Sequence, residues 1–130
     1  MKEDNIFEKL FKNHSITNEE HKKLINHIEE HKFLLNENIP FEITWDQAVF
    51  SWYDNIFRIV ESHYNHWTTR ILFSNVSISN FYFQVMEHWH YLKKDESKKT
   101  IYIEDAIVNY VKNYSNKKFL RNILYIFLKY

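Results

Sequence analysis

Eight histidines are the side chains of this 130-residue chain best suited to chemistry, because imidazole changes charge near neutral pH and is the commonest metal ligand. Glu87 and His90 make a Glu-x-x-His pair, the spacing with which helical di-iron proteins present ligands from one helix face. Such a centre needs a second pair and further inward-facing carboxylates, and the chain has only this one pair. His27 and His31, four residues apart, could share a metal, but ordinary amphipathic-face histidines have the same spacing, and that is the reading expected here. His63 and His66 fall near an expected helix C-terminus, where a partly charged imidazole suits the dipole. No metal site is assigned.

No nucleophile can be argued either. Serines are plentiful, but none lies in a recognisable nucleophile turn. The chain contains no glycine, where average usage would supply roughly nine. Phosphate-cradling loops, dinucleotide-binding turns and nucleophile elbows need glycine, because the backbone must turn sharply or approach a ligand closely. Their standard forms are excluded. The absence of cysteine excludes disulfides and thiolate metal sites as well. No catalytic residue and no cofactor are assigned.

Aromatics make up 18% of the chain, among them Trp45, Trp52, Trp67, Trp89, Tyr53, Tyr64 and Tyr91. Such side chains fill a small core and also anchor interfaces. Most are expected inside, with Trp52 and Trp89 buried. Tyr64 and Trp67, at the polar end of a helix, are the candidates for an exposed partner or ligand surface.

Charge balances at 17 basic and 17 acidic side chains but is unevenly spread, with a net of −5 over residues 1–92 and +5 over 93–130. Near the C-terminus Lys112, Lys117, Lys118, Arg121, Tyr125 and Lys129 offer cations and a stacking ring, a combination that suits a nucleic-acid backbone or single strand. Zero net charge argues against a dedicated nucleic-acid binder, and a solvated helix face is the simpler reading. Lys, Asn, Ile, Tyr and Phe together supply 63 residues, a bias that an AT-rich coding sequence produces, so lysine abundance alone carries no argument.

Helices must position all of these side chains. Ile6, Phe7, Leu10 and Phe11 predict a short helix over 4–12. Thr17-Asn18-Glu19-Glu20 is a capping box, in which hydroxyl and carboxylate satisfy orphan amides. The helix it opens carries Leu24, Ile25, Ile28, His31 and Leu35 on one face. It is expected to end near Asn36 or Asn38, since asparagine is the next best residue after glycine for a left-handed exit. Pro40, the single proline, follows.

Thr44-Trp45-Asp46-Gln47 is a second capping box, with Ile43 and Ala48 placed as a hydrophobic staple. From it Ala48, Val49, Trp52, Tyr53, Ile56, Phe57 and Val60 predict one long helix to about residue 66. Residues 68–78 hold a bend, with Ser74, Ser77 and Ser79 as candidate caps. Phe81, Tyr82, Val85, Met86, Trp89 and Leu92 predict another helix, Lys93 to Thr100 a polar loop, and Ile103 to Val111 a further helix. Phe119, Leu120, Ile123, Leu124 and Phe127 predict a last one over 116–129, expected to cover the open side of the core, in one chain or across a homodimer. No run approaches the roughly 18 apolar residues of a membrane helix. The start Met1-Lys2-Glu3-Asp4 has no apolar h-region, so a cytoplasmic location with no membrane partner is expected.

An internal repeat is visible. Glu30-His31, three residues, then Leu35 matches Glu87-His88, three residues, then Leu92. At the same shift Leu24, Ile25 and Ile28 fall on Phe81, Tyr82 and Val85; one residue inserted in the loop then brings Ala48, Val49 and Trp52 onto Ala106, Ile107 and Tyr110. The equivalence singles out His31 and His88. Either they are core-edge histidines whose ring nitrogens are satisfied by a carbonyl or carboxylate of the adjoining loop, or they form a symmetric ligand or partner site.

Trp45-Asp46-Gln47-Ala48-Val49, Ser51-Trp52-Tyr53-Asp54-Asn55-Ile56, Phe81-Tyr82-Phe83 and Met86-Glu87-His88-Trp89-His90-Tyr91-Leu92 resemble an uncharacterised bacterial helical domain. That domain occurs mainly as the C-terminal portion of longer proteins, some with a ParB-like N-terminal domain. The resemblance spans roughly residues 20–112. The chain departs from the family in lacking the N-terminal domain and the usual loop glycines, and in adding residues 115–130. The resemblance implies a stand-alone accessory module and carries over no nucleotide or DNA function.

The expected architecture is all-α, one domain over 1–130, in which two similar hairpins (about 18–66 and 78–114) form a four-helix core with short N- and C-terminal helices. The expected function is a non-enzymatic protein-interaction module, such as a regulatory accessory or a small inhibitor or immunity-type protein, with another protein as partner. Nucleic-acid binding through the basic C-terminal helix is the alternative, and a metal-dependent helical enzyme the third class.

Overall fold

The computed structural model describes residues 2–12, 14, 16–95 and 100–114. Their regular structure is helical throughout, and the fold is all-α. The chain divides into two compact units, Met1–Ile56 and Phe57–Tyr130.

In the first unit, α1 (Lys2–Phe11), α2 (Asn18–Asn38) and α3 (Trp45–Trp52) pack with α3 against both other helices. Both capping boxes form. Thr17 Oγ1 accepts from Glu20 N at 3.2 Å while Thr17 N donates to Glu20 Oε1 at 3.0 Å. Thr44 and Gln47 make the same exchange at 3.1 and 2.9 Å. The core holds Phe7, Phe11, Leu24, Ile28, Ile43, Ala48, Val49 and Trp52. Phe7 and Phe11 stack at 4.6 Å, and Phe11 reaches Trp52 at 6.0 Å, which ties α1 to α3.

The exit of α2 differs from expectation. No described residue has a positive φ, and the residue after the helix, Ile39, is extended (φ −120°, ψ 135°). It precedes Pro40, whose ring drives the preceding residue out of the helical region, so no left-handed asparagine is needed. The two asparagines act through their side chains instead. Asn38 Nδ2 donates to the Leu34 carbonyl at 3.1 Å, and Asn36 Oδ1 accepts from Ile43 N at 2.8 Å.

The single long helix expected from residue 45 to 66 is interrupted. After α3 comes a π-type turn, Tyr53–Phe57, and then α4 (Arg58–Tyr64). Buried positions run 48, 49, 52 and then 57, 60, 64. The step from Trp52 to Phe57 is one residue too long for an α-helical stripe, and the wider turn absorbs it. The unit boundary falls within this turn. α4 packs against α6 and α7 and so belongs to the second unit, not to the first repeat as its sequence position implied.

The second unit comprises α4, α5 (Trp67–Leu72), α6 (Ile78–Asp95) and α7 (Ile103–Tyr114). Of the candidate caps between α5 and α6, Ser77 is used: its Oγ accepts from Asn80 N at 3.2 Å. Ser74 is exposed and Ser79 lies buried inside α6. Phe81 centres an aromatic core, with Tyr64, Phe73 and Tyr110 rings 5.4, 5.3 and 5.9 Å away.

Trp89, expected in the core, is half-buried. Its Nε1 donates to the Ile101 carbonyl at 2.8 Å and Lys93 Nζ lies 3.6 Å from its ring centre, so it closes the α6–α7 connection. Lys93 to Asp95 continue α6 where a loop was expected. Each unit thus contains a helical hairpin, α2–α3 or α6–α7. No described helix is long and apolar enough to cross a membrane. The expected helix over 116–129 lies outside the described residues.

Candidate functional site

Positions that the sequence alignment of the two hairpins pairs carry similar polar contacts. His31 Nε2 lies 2.9 Å from Ser51 Oγ, and Asn55 Nδ2 donates to the Ser51 carbonyl and hydroxyl oxygens at 2.9 and 3.3 Å. In the second hairpin His88 Nε2 lies 2.6 Å from Asn109 Oδ1, and Asn113 Nδ2 donates to the Asn109 carbonyl and side-chain oxygens at 2.9 and 3.0 Å. Ser51 and Asn55 are the repeat counterparts of Asn109 and Asn113. Both histidines therefore find their partner on the second helix of their own hairpin rather than in the loop. An amide oxygen only accepts, so His88 Nε2 carries a hydrogen, whereas the Ser51 hydroxyl can take either role towards His31.

Burial differs. His31 is half-buried, and that burial pushes its pKa down; His27 is lowered by burial against the opposing charge of Glu30. His88 is 9% exposed. Around it stand Tyr114 edge-on at 5.4 Å, Tyr110 at 5.8 Å and Tyr91 at 6.2 Å, with Tyr110 and Tyr114 stacked at 5.0 Å. These rings, with Gln84 and Glu87, line an open cleft of about 540 Å³ between α6 and α7. Its floor is Tyr110, whose hydroxyl donates to Gln84 Oε1. Burial, then Tyr114 and Glu87, push the Tyr110 phenol above its ordinary pKa, so it stays neutral. Tyr91 and Tyr114 form the rim, 61% and 54% exposed.

A second cleft, of about 550 Å³, lies in the first unit beside Phe33 and Trp45. The Lys32–Glu42 ion pair at 2.8 Å is part of its wall, with Asn36 donating to the same carboxylate at 3.3 Å. Lys32 and Glu42 answer one another there while Glu29 adds a second carboxylate; the tyrosine cleft, with its exposed rim rings over a buried histidine, is the stronger candidate.

The chain matches no known protein family, no curated protein and no solved structure.

The other sequence candidates fall elsewhere. Tyr64, expected exposed, is buried: its hydroxyl donates to the Val76 carbonyl at 2.6 Å and its ring lies between Phe81 and the Arg70 guanidinium, 4.7 Å away. A phenol can be buried once its hydroxyl is satisfied. Trp67 is 57% exposed and lies beside His66. His63, in the last turn of α4, is pushed below its ordinary pKa, chiefly by burial and despite Glu104. Glu87 lines the tyrosine cleft while His90 is exposed on α6. Lys112 is exposed on α7. Lys117, Lys118, Arg121, Tyr125 and Lys129 lie outside the described residues. Among the described residues no three His, Asp or Glu side chains gather as a metal site.

Gln84, Tyr110 and Tyr114 were not singled out as site residues from the sequence. Their signal was helical spacing: Gln84, Glu87, His88 and Tyr91 fall on one face of α6, and Tyr110 and Tyr114 are one turn apart on α7.

Proposed function

We propose that this chain is a non-enzymatic protein-interaction module, of the regulatory-accessory or small-inhibitor kind, and that it meets its partner at the α6–α7 cleft. The observation that carries the reading is the cleft rim, where Tyr91 and Tyr114 stand exposed above the buried His88 and Tyr110. Large rings backed by a packed floor are the usual anchors of a binding surface. A polar lining of amide, carboxylate and phenol favours recognition over a greasy sink. The imidazole best placed for chemistry, that of His88, is held by Asn109.

The test compares the parent chain with a Tyr91→Ala, Tyr114→Ala variant, each tagged and purified from its native host. Circular dichroism shows first that both are folded. A stoichiometric partner retained by the parent and lost from the variant supports the reading. Identical partners on both, or none on either, removes it.

A further inference from the structure

We infer that the tyrosine cleft receives a lysine or arginine side chain of the partner polypeptide, with the cation over the tyrosine faces and beside Glu87. The inference rests on the interaction-module reading of the same site and names the chemistry of what enters it.

The lining is selective for positive charge. Among the described residues no lysine or arginine lines the cleft, and the one formal charge they bring to it is the Glu87 carboxylate, which makes no ion pair among them. While Tyr110 is buried and stacks on Phe73 and Tyr114, the two rim rings, Tyr91 and Tyr114, stand exposed in the same lining. Their faces carry the negative lobe of the ring quadrupole, which attracts ammonium and guanidinium groups. The Tyr110 hydroxyl donates to Gln84 Oε1. An anionic occupant would meet Glu87, and a purely apolar one would take water from Glu87 and Gln84 and return no hydrogen bond. A long side chain with an apolar stem and a charged tip meets both demands, lying along exposed ring edges and ending at the carboxylate. The cleft, at about 540 Å³, has room for one.

The first hairpin provides an internal comparison. The positions that match Gln84, Glu87, His88, Tyr91, Tyr110 and Tyr114 are His27, Glu30, His31, Leu34, Trp52 and Ile56. The carboxylate recurs, but the three tyrosines do not. The cation site is thus a property of the second hairpin and not of the repeat.

The experiment follows the tyrosine ring signals of the full chain by NMR as blocked hexapeptides are added. One peptide carries a single arginine among serine and alanine, one a lysine, and one the uncharged norleucine. Saturable shifts at Tyr91 and Tyr114 are expected with arginine and lysine and not with norleucine. Glu87→Gln should weaken binding about two- to fivefold, as loss of an exposed charge pair does. Replacing Tyr91 and Tyr114 together by leucine should weaken it by a further two- to fivefold or so per ring, whereas phenylalanine at both should restore it. Norleucine binding as well as arginine would overturn the inference, and so would the absence of shifts with all three peptides. Guanidinium or butylammonium binding as tightly as the peptides would also overturn it, since the site would then serve a small cation. None of these outcomes touches the partner-retention result, so the two readings fail separately.

Discussion

Asn109 decides how His88 can remain buried. The imidazole N–H has its acceptor in the Asn109 side chain at 2.6 Å, and Asn113 bonds the same amide oxygen from one turn further along α7. Removing the acceptor leaves a desolvated donor, and Asn109→Ala is expected to cost about 1–3 kcal/mol. Ser51→Ala removes the corresponding contact of His31, which is only half-buried and can turn to water. Its cost should be smaller. Urea denaturation of the two variants checks the order, and an equal loss at both sites would show that the burial of His88 is not what sets the cost.

At the scale of elements, the two tryptophans expected in the core have different tasks. Trp52 is 1% exposed at the end of α3. Trp52→Ala should cost about 3–5 kcal/mol, as large-to-small core changes do. Trp89 is half-buried and joins α6 to Ile101, two residues before α7, through its ring N–H, with Lys93 over its face. Trp89→Ala therefore loses mainly one hydrogen bond and one cation–π contact and should cost about 2 kcal/mol or less. Chemical melts measure both, and matching losses would mean that Trp89 packs as a core residue. The π-type turn at Tyr53–Phe57 belongs to the same scale. It lets the buried positions step by five residues between Trp52 and Phe57 without exposing either ring.

For the molecule as a whole, histidine titration links stability to pH. Burial pushes the pKa of His27, His31 and His63 below the ordinary imidazole value of 6.5. The unfolded chain takes up these protons near 6.5, and the folded chain only at lower pH. The stability is fully present above the unfolded value and falls as pH drops from there through the depressed folded values. The urea midpoint should be lower at about pH 5.5 than at about pH 7.5, and His63→Gln should narrow the gap. A midpoint that does not change between these pH values, or a gap unchanged by His63→Gln, would contradict this linkage. Glu42, held below its ordinary carboxylate pKa by Lys32, titrates too low to interfere.

The sequence by itself determined what is local. Both capping boxes, the all-α class and the alignment of the two hairpins follow from hydroxyls, carboxylates and apolar residues within a few positions of one another, because helix starts and helix faces are set by neighbours along the chain. Continued at the same shift, the alignment pairs Ser51 and Asn55 with Asn109 and Asn113. What it could not express was which donor would meet which acceptor, since a hydrogen bond depends on how two helices rotate towards each other. For the same reason the burial of Tyr64 is not legible in the sequence, because the Val76 carbonyl that accepts from its hydroxyl reaches it only when the chain folds back after α5. The tyrosine cleft is a tertiary feature in full. Tyr91 and Tyr114 stand 23 positions apart, and only the packing of α6 on α7 turns two rows of helix-face residues into walls around one carboxylate.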